Sequence, residues 1–171
     1  MIELQYFTRN DFDHLINWVT SPEFLLQWAG PSFTYPLDDE QLHAYIADAN
    51  HPGANAFIYK VVDANTKEII GHISLVKIDR TQQTARIGRV LVGDPAYRGK
   101  GVGEQMIQKI LEVAFDNLKL SEVTLGVFDF NKGAIKCYQK AGFKQVRLRK
   151  NAAAINHEYW HLIEMARSRS E

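Results

Sequence analysis

The feature that most constrains this chain is the stretch Arg98-Gly99-Lys100-Gly101-Val102-Gly103. An apolar strand, Ile87 to Val92, is expected to run into it. Beyond it Val102, Met106, Ile107, Ile110, Ala114 and Leu118 recur at helical spacing, so an amphipathic helix is expected to run out. A strand that delivers a glycine-rich turn into a helix start suits a phosphate. Residues without side chains let the backbone approach an anion, and the first N–H groups of the helix point at it with the positive dipole end behind them. Arg98 and Lys100 add charge to that cradle.

Two phosphate motifs fail on spacing. A P-loop places a Ser or Thr after its Gly-Lys pair, whereas Gly101 follows Lys100 here. The dinucleotide fingerprint is G-x-G-x-x-G and opens a first βαβ unit. Here the glycines run G-x-G-x-G past the middle of the chain, with Glu104 in the third place.

Arg98, Gly101 and Gly103 do match [RQ]-x-x-G-x-[GA], the coenzyme A signature of the GNAT superfamily of N-acetyltransferases. Downstream, Asn131, Ala134, Tyr138, Gly142 and Phe143 match that family's N-x-x-A-x-x-x-Y-x-x-x-G-F. With both motifs present in order, the chain resembles this family over roughly residues 55–165, and more loosely before them. The resemblance implies a mixed α/β (α+β) domain over residues 1–171 with the GNAT acyl-CoA N-acyltransferase fold. That fold is a mostly antiparallel seven-stranded sheet with a splayed parallel central pair and helices on both faces.

The local patterns agree. Ile2, Leu4 and Tyr6 alternate as a first strand, and Asn10 is placed to cap a helix carrying Phe12, Leu15, Ile16 and Val19. Phe24 to Pro36 reads as irregular and aromatic-rich, followed by a helix near Asp39 to Ala49. Phe57–Val62 and Glu68–Ile78 form a hairpin whose turn has Asn65 at positive φ. Thr84–Val92 and Val123–Val127 make a parallel βαβ pair. Asn131 caps a last helix that stops at Gly142. Phe143–Leu148 and His157–Met165 close the chain as an antiparallel pair, with Lys144, Arg147, Arg149 and Lys150 on a wet strand face.

Twenty basic and twenty acidic residues leave a net charge of zero, so no global field favours nucleic acid or an anionic membrane. No apolar run reaches the ~20 residues that cross a bilayer, and the charged N-terminus does not read as a signal peptide. One cysteine, Cys137, allows no internal disulfide. The expectation is a cytoplasmic protein without nucleic-acid or membrane partners, with a homodimer left open.

The resemblance also implies a chemistry. A primary amine, of a small molecule or a peptide N-terminus, attacks the thioester of acetyl-CoA directly. Gly99, Lys100, Gly101, Val102 and Gly103 hold the pyrophosphate with Arg98. Val90, Leu91 and Val92 pair with the pantetheine if the two parallel strands splay, and Asn131 adds a contact. Tyr138 is expected to protonate the departing thiolate. The strand before the turn has no carboxylate where many family members carry a glutamate. His72 and Asp129, through a water, are the candidates for general base, unless the amine arrives neutral. Trp28, Phe33 and Tyr35 are candidates to line the acceptor pocket and hold a cationic amine. Glu23, Asp38, Asp39 and Glu40 are placed to attract one. No metal is expected.

Two other readings compete. His157-Glu158-Tyr159-Trp160-His161 is literally H-E-x-x-H, the zinc-protease signature, but it needs a helix and a third ligand, and the segment suits a strand. A chain of this fold can also bind coenzyme A as a sensor without turnover.

Overall fold

A computed structural model describes residues 1–170. Its strands are β1 (Ile2–Tyr6), β2 (Phe57–Asp63), β3 (Ile69–Asp79), β4 (Thr84–Val92), β5 (Glu122–Phe128), β6 (Lys144–Ile155) and β7 (Glu158–Ser168). They form one sheet in the order β1-β2-β3-β4-β5-β7-β6. Only β4 and β5 pair in parallel; the other neighbours are antiparallel. This is the architecture implied by the resemblance.

Alternation across the sheet divides the core in two. In β2, Phe57, Tyr59 and Val61 face one cluster while Ile58 faces the other. The first cluster packs under α4 (Val102–Leu111), which places Val102, Met106, Ile107 and Ile110 on one stripe, and under α5 (Lys132–Lys140). The helix of α4 continues as a π segment, Glu112–Asn117, that buries Ala114 and Phe115. The second cluster packs α1 (Phe12–Trp18), α2 (Pro22–Ala29) and α3 (Asp39–Ile46) on the opposite face.

Four local expectations need correction. Asn10 does not cap the first helix. Thr8 precedes a 3₁₀ turn, Arg9–Asp11, and its N–H and Oγ1 both donate to Asp11 Oδ2 at 2.8 and 3.1 Å. Asp11 also accepts from Lys60 Nζ at 3.0 Å, a largely buried ion pair that ties this turn to β2. The segment 24–36 is not irregular throughout. Ser21 Oγ accepts from Phe24 N at 3.0 Å and Pro22 takes the first turn, so α2 is a helix with an ordinary start signal. In the β2–β3 turn it is Lys67, not Asn65, that takes positive φ, because the Asp63 carboxylate organises the turn from its start by accepting from Asn65 N and Thr66 N.

The last pair of strands is also longer than expected. β6 runs to Ile155 and is solvated on both faces for most of its length, as the edge of the sheet. Asn156 and His157, at φ 51° and 66°, make the two-residue turn into β7. The H-E-x-x-H motif therefore starts in a hairpin turn and continues along a strand, where residues four apart lie about 13 Å apart. His161 Nδ1 accepts from Asn151 N at 2.9 Å, bridging the irregular register of β6. Among the described residues no group of His, Cys, Asp and Glu could hold a metal, and no helix is long and apolar enough to cross a membrane.

Candidate active site

β4 and β5 pair only at Thr84–Arg86 with Glu122–Thr124. The divergence coincides with a bulge. Ser74 faces Gly88 and His72 faces Leu91, so β4 spends two residues, Arg89 and Val90, against one of β3. Arg89 adopts φ 53° there. A bulge bends its strand, and from Ile87 onward β4 leaves β5. The gap is a cleft of about 620 Å³ lined by the β4 segment Ile87–Val92 and the β5 segment Leu125–Phe128.

Next to it, a pocket of about 300 Å³ sits over the glycine turn, and Val90, Val92, Arg98, Asn131 and Tyr138 line both. Gly99 and Gly101 hold φ 75° and 79°, and a Cβ on either would meet nothing within 4 Å. The turn thus presents bare backbone to open space. α4 starts at Gly101 with no side-chain cap, so its first N–H groups are left for an external acceptor. Arg98 stands beside them, its Nε donating to Val92 O at 3.1 Å. A cradle for phosphate at the end of an unpaired strand edge fits the phosphate and amide groups of coenzyme A.

Asn131 caps α5 by accepting from Ala134 N at 3.3 Å, as expected. One turn on, Tyr138 is 8% exposed and packs edge-on against Phe143. Its hydroxyl has no hydrogen-bond partner among the described residues, and burial pushes its pKa above the ordinary phenol value.

Most of the other predicted residues fall elsewhere. His72 is buried in the second core, in edge contact with Phe7 and Trp28, and its Nε2 meets the Tyr45 hydroxyl at 3.0 Å. Burial, helped by the Arg89 charge, lowers its pKa to about 3, so it is a neutral and weakly basic imidazole. His72 and Asp129 do not line the cleft, and its lining holds no carboxylate or imidazole. Trp28 lines the cleft; Phe33 stacks behind it at 6.1 Å, and Tyr35 is tied outside by donating to Thr20 O. The faces of Phe33 and Tyr45 carry the Arg89 guanidinium, at 5.1 and 4.7 Å from the ring centroids. Asp38 caps α3 and Glu23 accepts from Asn156, so these acids have local work outside the cleft.

Arg89 is the site residue the sequence reading missed. An arginine interrupting Ile87-Gly88-Arg89-Val90-Leu91-Val92 was its only signal. Nearby, Glu164 accepts from Arg86 at 2.8 and 3.3 Å and from Arg149 at 3.4 Å. Burial alone would raise the Glu164 carboxyl; the two guanidiniums outweigh it and hold the pKa below the usual range.

The geometry has counterparts. The model of the acetyltransferase (GNAT) domain matches residues 2–144. The chain is 33% identical over 99 residues to the probable N-acetyltransferase YjcK of Bacillus subtilis (strain 168), covering 57% of this chain but only 54% of that protein, about half its length. It is 27% identical over 119 residues to the L-amino acid N-acetyltransferase AaaT of Escherichia coli (strain K12), covering 70% of this chain and 71% of that protein. A spermidine N-acetyltransferase from Vibrio cholerae, solved in complex with CoA and spermine, superposes with a TM-score of 0.84 at 23% identity, over 99% of this chain and 96% of that one. At that identity the likeness speaks for the fold. With its signature residues gathered around one splayed cleft and the family model matched from the first strand to the sixth, the chain belongs to the GNAT acetyltransferase family.

Proposed function

We propose that the protein is an acetyl-CoA-dependent N-acetyltransferase acting on a primary amine, with residues 1–171 as one domain. The observation that carries this is the unpaired edge of β4 ending at an uncapped helix start, with the Tyr138 hydroxyl in the same cleft. The acetyl thioester supplies an acyl group already activated for attack by the amine. Backbone N–H groups from Gly99 to Gly103, with Arg98 and Lys100, bind the phosphates. Val90, Leu91 and Val92 offer main-chain groups to the pantetheine, and Asn131 closes that side. A backbone N–H near Val92 polarises the carbonyl, a contribution of roughly 3 kcal/mol in the transition state.

Tyr138 gives its proton to the thiolate as the C–S bond breaks. Its raised pKa keeps it protonated until then, and the same dry surroundings make a thiolate a stronger base. No side chain of the cleft is placed to deprotonate an ammonium, so the acceptor enters as the free base; the one proton its nitrogen sheds as the amide forms restores the Tyr138 hydroxyl through solvent in the cleft, and amine and thioester end as amide and thiol. One relative is named for acetylating an L-amino acid and a neighbour in fold for acetylating spermidine; both acceptors carry primary amines.

The experiment is calorimetric titration with acetyl-CoA followed by an amine screen that reads thiol release. Micromolar binding and turnover with an amine support the reading. No binding at millimolar acetyl-CoA ends it.

A further inference from the structure

A further cavity of about 490 Å³ opens from the cleft, sharing Gln27, Trp28, Arg89 and Phe128 with it. Lys77, Arg86, Arg89 and Arg149 line it, and no carboxylate does. Glu164, just behind, pairs with Arg86 and Arg149 together. Arg89 and Lys77 have no ion pair among the described residues. Arg89 rests on two aromatic rings, and Nη2 donates to Ser32 Oγ at 2.8 Å. Its Nε is buried without a hydrogen-bond partner, as are Trp28 Nε1 and His72 Nδ1 in the same cluster.

A guanidinium taken partly out of water without a counter-ion is a cost the fold carries here. Its planar fork, held between the Phe33 and Tyr45 rings, suits a carboxylate approaching edge-on. A polycation meets the opposite of what it needs here, since like charges in a cleft repel strongly. We propose, resting on the N-acetyltransferase reading, that the acceptor is a small amine that also carries a carboxylate. Arg89 receives that carboxylate, Lys77 adds attraction at the mouth, and the amine is left facing the β4–β5 cleft. Arg89 is then a specificity residue, and the site selects amino acids over polyamines.

The test compares the wild-type chain with Arg89→Gln, Arg89→Lys and Lys77→Gln. Acceptors are free α- and ω-amino acids, their amides, the matched amines without a carboxylate, and spermidine. Transfer is read as thiol released from acetyl-CoA, and binding of the same compounds to the CoA-loaded protein is read by ligand-observed NMR. The best amino acid should exceed its own amide by about thirty-fold in kcat/KM. Arg89→Gln should bring the two within a few-fold of each other while the Kd for acetyl-CoA stays unchanged, and Arg89→Lys should restore part of the gap. Preference for spermidine or the amide, or a preference that survives Arg89→Gln, overturns the proposal. Should Arg89→Gln not fold, a several-fold loss of the preference in Lys77→Gln supports it and no loss overturns it. If no amine is acetylated, the enzymatic reading fails and the NMR arm decides. Carboxylate-dependent binding that Arg89→Gln abolishes supports the subsite, and equal binding of acid and amide rejects it.

Discussion

Arg98 donates its Nε hydrogen to the carbonyl of Val92 across 3.1 Å. The cation of the glycine turn is thereby held by the last residue of the strand that leads into it. Replacing Arg98 by Ala removes both this tie and the proposed phosphate partner. Charge-assisted hydrogen bonds contribute about 1.5–3 kcal/mol, so acetyl-CoA affinity should fall about ten- to a hundred-fold by calorimetry. Gly101→Ala should also weaken it, because the new methyl enters the cradle and φ 79° strains a residue with a Cβ.

Tyr138→Phe keeps the ring packed against Phe143 and deletes only the hydroxyl, the proposed proton donor. Loss of an acid typically costs 10²–10⁴-fold, so kcat should drop by about a hundred-fold or more while the Kd for acetyl-CoA holds. Unchanged kcat would remove Tyr138 from the chemistry. A wild-type chain that binds acetyl-CoA yet transfers to no amine would point to a sensor.

With no carboxylate or imidazole lining the cleft, the alkaline rise of kcat/KM should track the pKa of whichever amine is offered. Acceptors of different basicity should shift the curve in parallel. A limb that stays fixed across acceptors, and moves in His72→Gln or Asp129→Asn, would assign a base to that residue.

His72 makes stability depend on pH. Its pKa falls from 6.5 to about 3 on folding, so between those values the unfolded chain binds a proton that the native one does not. Stability is full above pH 6.5 and declines as pH drops toward 3, at up to about 1.4 kcal/mol per unit. Melting temperatures measured from pH 7 to 4 should show the decline, and His72→Gln should flatten it.

Removing one partner of the Asp11–Lys60 pair leaves the other charge buried. Side-chain exposures of 5% and 18% make water a poor substitute. Asp11→Ala should cost ~3 kcal/mol in urea unfolding, with acetyl-CoA affinity unchanged in the folded protein.

The glycine turn and the start of α5 were legible because their geometry is local. A glycine turn, an N-cap at Asn131 and a helix-spaced Tyr138 each announce themselves within a few residues. The acceptor side was not. Arg89 matters through Ser32, Phe33 and Tyr45, which reach it from α3 and from the segment after α2, and no short pattern records that meeting. Of the rings expected to meet an incoming cation, Phe33 carries the protein's own Arg89. Long β6 was underestimated because an edge strand solvated on both faces loses the alternation that marks a strand.

The three residue pairs joining β4 to β5 have a mechanical consequence. β1 to β4 form one leaf of the sheet and β5, β7 and β6 the other, hinged at Thr84–Arg86. Just outside the hinge, the Gln83 carbonyl accepts from Ser121 N, Glu122 N and Ser121 Oγ at 2.7, 3.2 and 3.1 Å, like a clasp. From Arg86 to Val92 the free arm is about 20 Å long, so a rotation of about 5° at the clasp moves the mouth by nearly 2 Å. Ser121 thus ties the two leaves together at the end opposite the opening.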